Sequence, residues 1–238
     1  MKILVAGDSW NYGYGLDSPF TERWDSLLEG HEIKNVSISG SGNALIERMI
    51  MEHYDNHDLI IVGWSSVQRV YLPGIPRPQK LVELVLDSEK SDEVLQARLD
   101  FFQYESSYDK MFKDFKKQIR NVESLPCKVI HFTVFGDKFP VEVKHKIDKS
   151  FLEFLANLGG YKFLFDIPFF EYGFLMDTET HLIETFCDNH FPKDWRYACY
   201  ERELPILDEC KYFLVCGHPS KLGHIEWSKR IEQEISKL

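Results

Sequence analysis

The sequence contains no apolar run approaching the roughly 20 residues that a membrane-crossing helix requires. It shows no leader pattern either. Met1-Lys2 run straight into a short strand-like stretch and a Gly-Asp-Ser turn, without an apolar leader core or a small-residue cleavage site. The expectation is a cytoplasmic protein. Positive charge is in the minority: 28 Lys and Arg stand against 38 Asp and Glu, a net charge of −10. That argues against a nucleic-acid backbone or an anionic membrane as the main partner. Cysteine is scarce, odd in number at five, and irregularly spaced, which suits reduced thiols better than a disulfide framework. Cys187-Asp-Asn-His190 with Cys199 lacks the second ligand pair of a zinc site, so no metal is expected. Gly13-Tyr14-Gly15 and Gly40-Ser41-Gly42 are too short for a dinucleotide fingerprint, and no Walker-type loop occurs, so no nucleotide cofactor is expected. No internal repeat, low-complexity tract or clear linker interrupts the chain.

What is present is a chain of 238 residues, 44% hydrophobic, enough for a sizeable core. Residues 2–6 form a continuous apolar run stopped by Gly7, as in a strand buried on both faces. Ser18-Pro19 reads as the start of a helix over Phe20–Leu28, stopped by Gly30. Ile33–Ile38 reads as a second strand. Asn43 reads as the cap of a helix whose Leu45, Met49, Ile50 and Tyr54 share a face. Asp58–Val62 is a third buried strand ending at Gly63. This alternation is the rhythm of a doubly wound parallel sheet.

Beyond Gly63 the pattern loosens. Residues 71–78 hold three prolines and predict an extended loop. Residues 92–124 are helical in character, with Met111, Phe112, Phe115, Ile119 and Val122 on one face. Lys128–Val134 predicts a fourth strand, Val141–Leu158 a helix, and Tyr161–Phe165 a fifth strand. Residues 166–212 are aromatic-rich and irregular. A last helix over about 221–237 carries Ile225, Ile231, Ile235 and Leu238 on one face. The prediction is an α/β fold: a flavodoxin-like three-layer α/β/α sandwich around a central five-stranded parallel sheet. It forms a single domain over 1–238, with insertions around 67–125 and 166–212.

Ser9 follows the first strand, where ligands gather in open α/β sheets. Asn35-Val-Ser-Ile-Ser-Gly40-Ser-Gly42-Asn43 follows the second strand, and Gly63-Trp64-Ser65-Ser66 the third. Near the end, Gly217-His218-Pro219-Ser220 precedes the last helix. A serine and a histidine of this kind can form a nucleophile and its base. In this order the motifs resemble those of the SGNH (GDSL-type) hydrolases, a family of esterases and acetylesterases. The resemblance covers both ends and the first 66 residues.

It implies Ser9 as nucleophile and His218 as base. It also implies backbone N–H groups of Ser9 and Gly40 as oxyanion donors, with Ser65 or Asn43 as a third. His224 is read as structural. Two positions depart from the family pattern. Ser65 stands where the family has an oxyanion-hole asparagine, and loss of such a donor costs about 2.7–4 kcal/mol of transition-state stabilisation. Val215 stands where the family has the aspartate that orients the histidine, leaving Asp188 or Asp208 as candidate orienting acids. The implied activity is hydrolysis of small acyl esters, such as O-acetyl groups on carbohydrate, with no cofactor. The implied partner is a small-molecule or carbohydrate ester, and a homo-oligomer or larger assembly is compatible. The two departures also motivate a second reading. In it the chain is a catalytically silent domain of the same fold, serving binding or assembly, for example in a phage particle, with a virion-associated location.

Overall fold

A computed structural model describes residues 1–67, 69–70, 79–80, 108–135, 138–159, 211–212 and 218–238. The chain divides into two compact units. One comprises Met1–Tyr12 and Gly30–Ser150, the other Gly13–Glu29 and Phe151–Leu238.

The first unit is built on a parallel sheet. Its strands are β1 (Lys2–Ala6), β2 (Glu32–Asn35), β3 (Leu59–Trp64) and β6 (Lys128–Thr133), in the order β2-β1-β3-β6. A two-stranded antiparallel ribbon, β4 (Arg69–Val70) and β5 (Gln79–Lys80), lies between β3 and β6 in sequence. Register is fixed by pairs such as Val5↔Asn35, Val5↔Ile61 and Ile61↔Ile130. Every residue of β3 is buried, and so is every residue of β1 after Lys2. That explains runs without alternation, because strands covered on both faces have no polar side to present. At the edge, β2 alternates between exposed and half-buried residues.

One face of the sheet packs against helices α3 (Asn43–His53) and α4 (Tyr108–Glu123). Leu4, Ala6, Ile60, Val62, Trp64 and Val129 from the strands meet Ile46 and Ile50 of α3 and Phe115, Ile119 and Val122 of α4. The apolar stripe expected within 92–124 is therefore core where it is described. In α3 the deepest residues are Ile46 and Ile50, one turn apart, with Leu45 and Met49 only half-buried. Four parallel strands are described, and the fifth strand expected at 161–165 lies outside the described residues.

The second unit contains α2 (Pro19–Glu22), a 3₁₀ turn (Trp24–Leu27), α5 (Phe151–Gly159) and α6 (Lys221–Ile235). Phe151 and Trp227 stack at 4.4 Å between ring centroids, and Phe154 meets the same indole edge-on. Ser220 caps α6, its side chain accepting from the Gly223 N–H at 3.2 Å. The buried stripe of α6 runs through His224, Trp227, Ser228, Ile231 and Ile235, whereas Ile225 is only half-buried.

Two expected elements differ. The helix expected over Phe20–Leu28 is broken at Arg23, whose backbone is extended at ψ 154°. The break sends the Trp24 N–H to the ring Nδ1 of His224 at 3.2 Å and sets Arg23 Nε 2.8 Å from the buried Asp25. Specific long-range bonds outweigh local helix propensity here. The helix expected over Val141–Leu158 begins only at Phe151. Residues 145–147 run instead along the side of β6 that no described strand covers: His131 N–H donates to His145 O at 3.0 Å, and Ile147 N–H to His131 O at 2.9 Å. An open sheet edge claims the backbone groups that a helix would have used on itself.

Candidate active site

The order β2-β1-β3 means that the chain leaves β1 on one side and returns on the other. In doubly wound sheets such a reversal opens a crevice beyond the carboxyl ends of the strands. Ser9 follows β1, Gly40 follows β2, and Ser65 follows β3, all in the first unit.

The turn after β1 is organised by Asp8, a fully buried carboxylate. Its Oδ1 accepts from the Trp10 N–H at 3.1 Å and from Asn11 Nδ2 at 3.5 Å. Its Oδ2 accepts from the Ser65 hydroxyl at 2.8 Å. Asp8 thus starts the short helix α1 (Ser9–Tyr12), on which Ser9 is almost fully buried, and ties it to the end of β3.

Asn11 explains both glycines. A Cβ at Gly7 would lie 2.5 Å from Asn11 Cγ, and one at Gly63 would lie 2.8 Å from Asn11 Oδ1 and 2.6 Å from Phe132 Cζ. The amide of Asn11 therefore fills the space that side chains at the ends of β1 and β3 would take. The backbone carbonyl of Asn11 accepts from Asn35 Nδ2 at 3.0 Å, adding the end of β2. Ser41 Oγ donates to Gly7 O at 2.9 Å. Three strand ends are locked together by buried polar groups, each with a partner.

Among the candidate oxyanion donors, Gly40 sits in a turn at φ 78°, a conformation that favours glycine. Ser65 spends its hydroxyl proton on Asp8. Asn43, expected to cap α3, is instead its first residue, and its Nδ2 donates to Ser65 O at 3.1 Å. Gly42 takes the cap position because the amide of Asn43 is directed to the β3 exit. An amide nitrogen carries two hydrogens, so one remains for a further acceptor.

His218 belongs to the second unit and is half-buried, its ring 4.8 Å from that of Tyr14. His224 is fully buried with Nδ1 accepting from Trp24, which leaves its proton on Nε2. Burial, with the charges of His218 and Arg23 nearby, pushes its pKa down to about 3. A histidine neutral throughout the working range and committed to a backbone N–H has a structural role. Asp188, Asp208 and Val215 lie outside the described residues, as does the Cys187–Cys199 segment.

A second buried histidine went unnoticed in the sequence. His131 of β6 accepts from Trp64 Nε1 at 2.9 Å through Nδ1 and lies 2.9 Å from Glu123 Oε1 through Nε2. The indole donor fixes the tautomer, leaving the ring proton on Nε2, the nitrogen beside the carboxylate. Burial lowers the His131 pKa, and the hydrogen bond from His131 holds Glu123 below its usual range. Among the described residues no group of three His, Cys, Asp or Glu side chains is placed to hold a metal ion, and no helix is long and apolar enough to cross a membrane.

Comparison with known proteins finds no matching family model and no curated protein that matches. Solved structures give distant likenesses. TesA aligns over 99% of this chain and 98% of its own, at 13% identity and a TM-score of 0.38. The YxiM protein of Bacillus subtilis aligns over 99% of this chain and 56% of its own, at 15% identity and a TM-score of 0.41. A catalytic mutant of Axe2, an acetylxylan esterase from Geobacillus stearothermophilus, aligns over 98% of this chain and 93% of its own, at 12% identity and a TM-score of 0.40. Likenesses this distant leave the chemistry to be argued from the residues themselves.

Proposed function

We propose that the chain is a serine ester hydrolase of SGNH type, acting on small acyl esters such as O-acetyl groups on carbohydrate. The observation that carries this reading is the locked set of strand ends around Ser9. A buried Asp8, an Asn11 wedge and the Ser65 and Asn43 bonds hold the Ser9 turn to the end of β3, and the bonds from Ile38 N–H and Ser41 Oγ to Gly7 O tie it to the turn that carries Gly40. Rigid donors around a serine are what acyl transfer requires, because pre-set dipoles stabilise the developing oxyanion without reorganising.

In this mechanism the Ser9 Oγ bonds to the acyl carbon while its proton passes to His218. The carbonyl electron pair moves onto oxygen, which the N–H groups of Ser9 and Gly40 receive. Asn43 is favoured over Ser65 as third donor, since the Ser65 proton is committed to Asp8 while Asn43 keeps one amide hydrogen. Collapse of the intermediate expels the alkoxide, which takes the proton from His218. Water then repeats the sequence and frees the acid.

The test is turnover of p-nitrophenyl acetate by the native protein and by Ser9→Ala, together with labelling by a fluorophosphonate probe. Turnover and labelling lost in Ser9→Ala support the reading. Equal rates in the two proteins and no label at Ser9 reject it in favour of a silent binding or assembly domain.

A further inference from the structure

We propose that Tyr14 is a positioning residue of His218: its ring braces the imidazole and favours the protonated form that arises during catalysis. The proposal rests on the hydrolase reading for its catalytic part. Tyr14 stands between Gly13 and Gly15, which hold φ of 80° and 87°, a backbone path that favours glycine at both positions. A Cβ on Gly13 would press on Arg23 Cβ and Leu16 Cδ1, each at 3.1 Å, so the turn is packed as well as bent. The double bend carries the Tyr14 ring to a centroid distance of 4.8 Å from the His218 ring, tilted by 47°. Half of the tyrosine remains open, at 48% exposure.

An aromatic face within about 6 Å attracts a cation through its quadrupole. A general base becomes a cation as it takes the serine proton, so this attraction grows along the reaction coordinate. That is the same service an orienting carboxylate performs, at smaller magnitude. Among the described residues of that unit, the other titratable or charged groups on the elements around His218 are the neutral His224, Arg23, Asp17, Lys211 and Tyr212 beside Ser220, and the Lys221–Glu22 pair with nitrogen and oxygen 3.0 Å apart. They are common to native protein and variants, so they cancel in a comparison.

The experiment compares Tyr14→Phe, which keeps the ring, with Tyr14→Leu, which keeps bulk but no π face. NMR titration of His218 reads the effect whether or not the protein turns over ester. The midpoint is expected to fall by about half a unit in Tyr14→Leu and to stay unchanged in Tyr14→Phe. On p-nitrophenyl acetate, Tyr14→Leu is expected to lose about 2–5-fold in kcat with KM little changed, and Tyr14→Phe to stay within about twofold. An unchanged midpoint in Tyr14→Leu, or equal losses in both variants, overturns the proposal. A native protein that neither turns over ester nor labels at Ser9 rejects the hydrolase reading, and the His218 midpoints still decide whether the ring favours the cation.

Discussion

Acid should unfold this protein earlier than its carboxylates alone would dictate, and His224 is the main reason. The ring is fully buried, accepts the Trp24 N–H at 3.2 Å, and has its pKa pushed down to about 3. In the unfolded chain a histidine titrates near 6.5. Below about pH 6.5 the unfolded chain binds a proton that the native ring refuses until about pH 3. The contribution of His224 is therefore complete above pH 6.5 and drains away as pH falls. The slope is about 1.36 kcal/mol per pH unit. By pH 4.5 the loss is about 2.7 kcal/mol, and over the whole window about 5 kcal/mol. That approaches the total stability of a marginal domain. His131, whose pKa is lowered by burial, adds to the loss in the same direction. The assay is urea unfolding followed by tryptophan fluorescence, with Trp24 and Trp227 in the same unit as His224. Native protein is compared with His224→Gln at pH 7.5 and 4.5. Glutamine offers an acceptor for the Trp24 N–H and does not titrate. The native protein should lose about 2.7 kcal/mol more than the variant between the two pH values. Parallel pH dependence in the two proteins would refute the reasoning.

Gly63→Ala should cost about 1–3 kcal/mol or more, because the new methyl collides with Asn11 and Phe132; a thermal melt within 1 °C of native would contradict the wedge. Ser65→Ala should cost about 1.5–3 kcal/mol by removing a donor from the buried Asp8 carboxylate. If Ser65 acts through Asp8, its effect should largely vanish in an Asp8→Asn background, and additive effects in that double-mutant cycle would separate the two residues. Trp227→Ala should cost about 3–5 kcal/mol by opening a cavity against Phe151 and Phe154, measured by urea midpoint, and a loss below 1 kcal/mol would count against the stack as core.

The parallel sheet was legible because its strands are buried on both faces and therefore write themselves as unbroken apolar runs ending in glycine: Ile3–Ala6 before Gly7, Leu59–Val62 before Gly63. Burial of Phe115, Ile119 and Val122 was legible from helical spacing alone. The breaks were not. Nothing local at Arg23 signals that the next N–H is claimed by a histidine 200 residues later. Likewise, the helical pattern of 141–150 gives no hint that residues 145–147 pair with β6 at His131. At the site, Ser9, Gly40 and Ser65 could be assigned to strand exits by counting elements. The parts played by Asp8 and Asn11 could not, because they depend on which strands become neighbours. Two glycines at the ends of β1 and β3 were the available signal, since both demand a common explanation for the missing side chain.

The interleaving of the two compact units has a consequence for how the chain is made. Residues 13–29 belong with residues 151–238, while everything from 30 to 150 belongs elsewhere. On a ribosome, the Trp24 N–H emerges long before the His224 ring that receives it. The first unit can close once residue 150 is out, with 13–29 looped from it as an unfinished passenger. Closing so long a loop costs little extra entropy per further residue, but the contact has to wait until residue 224 has emerged. A chain ending at residue 150 should therefore protect the amides of β1 and β3 from hydrogen exchange while that of Trp24 exchanges freely. Protection of Trp24 in that fragment would show that the early segment folds without its distant partner.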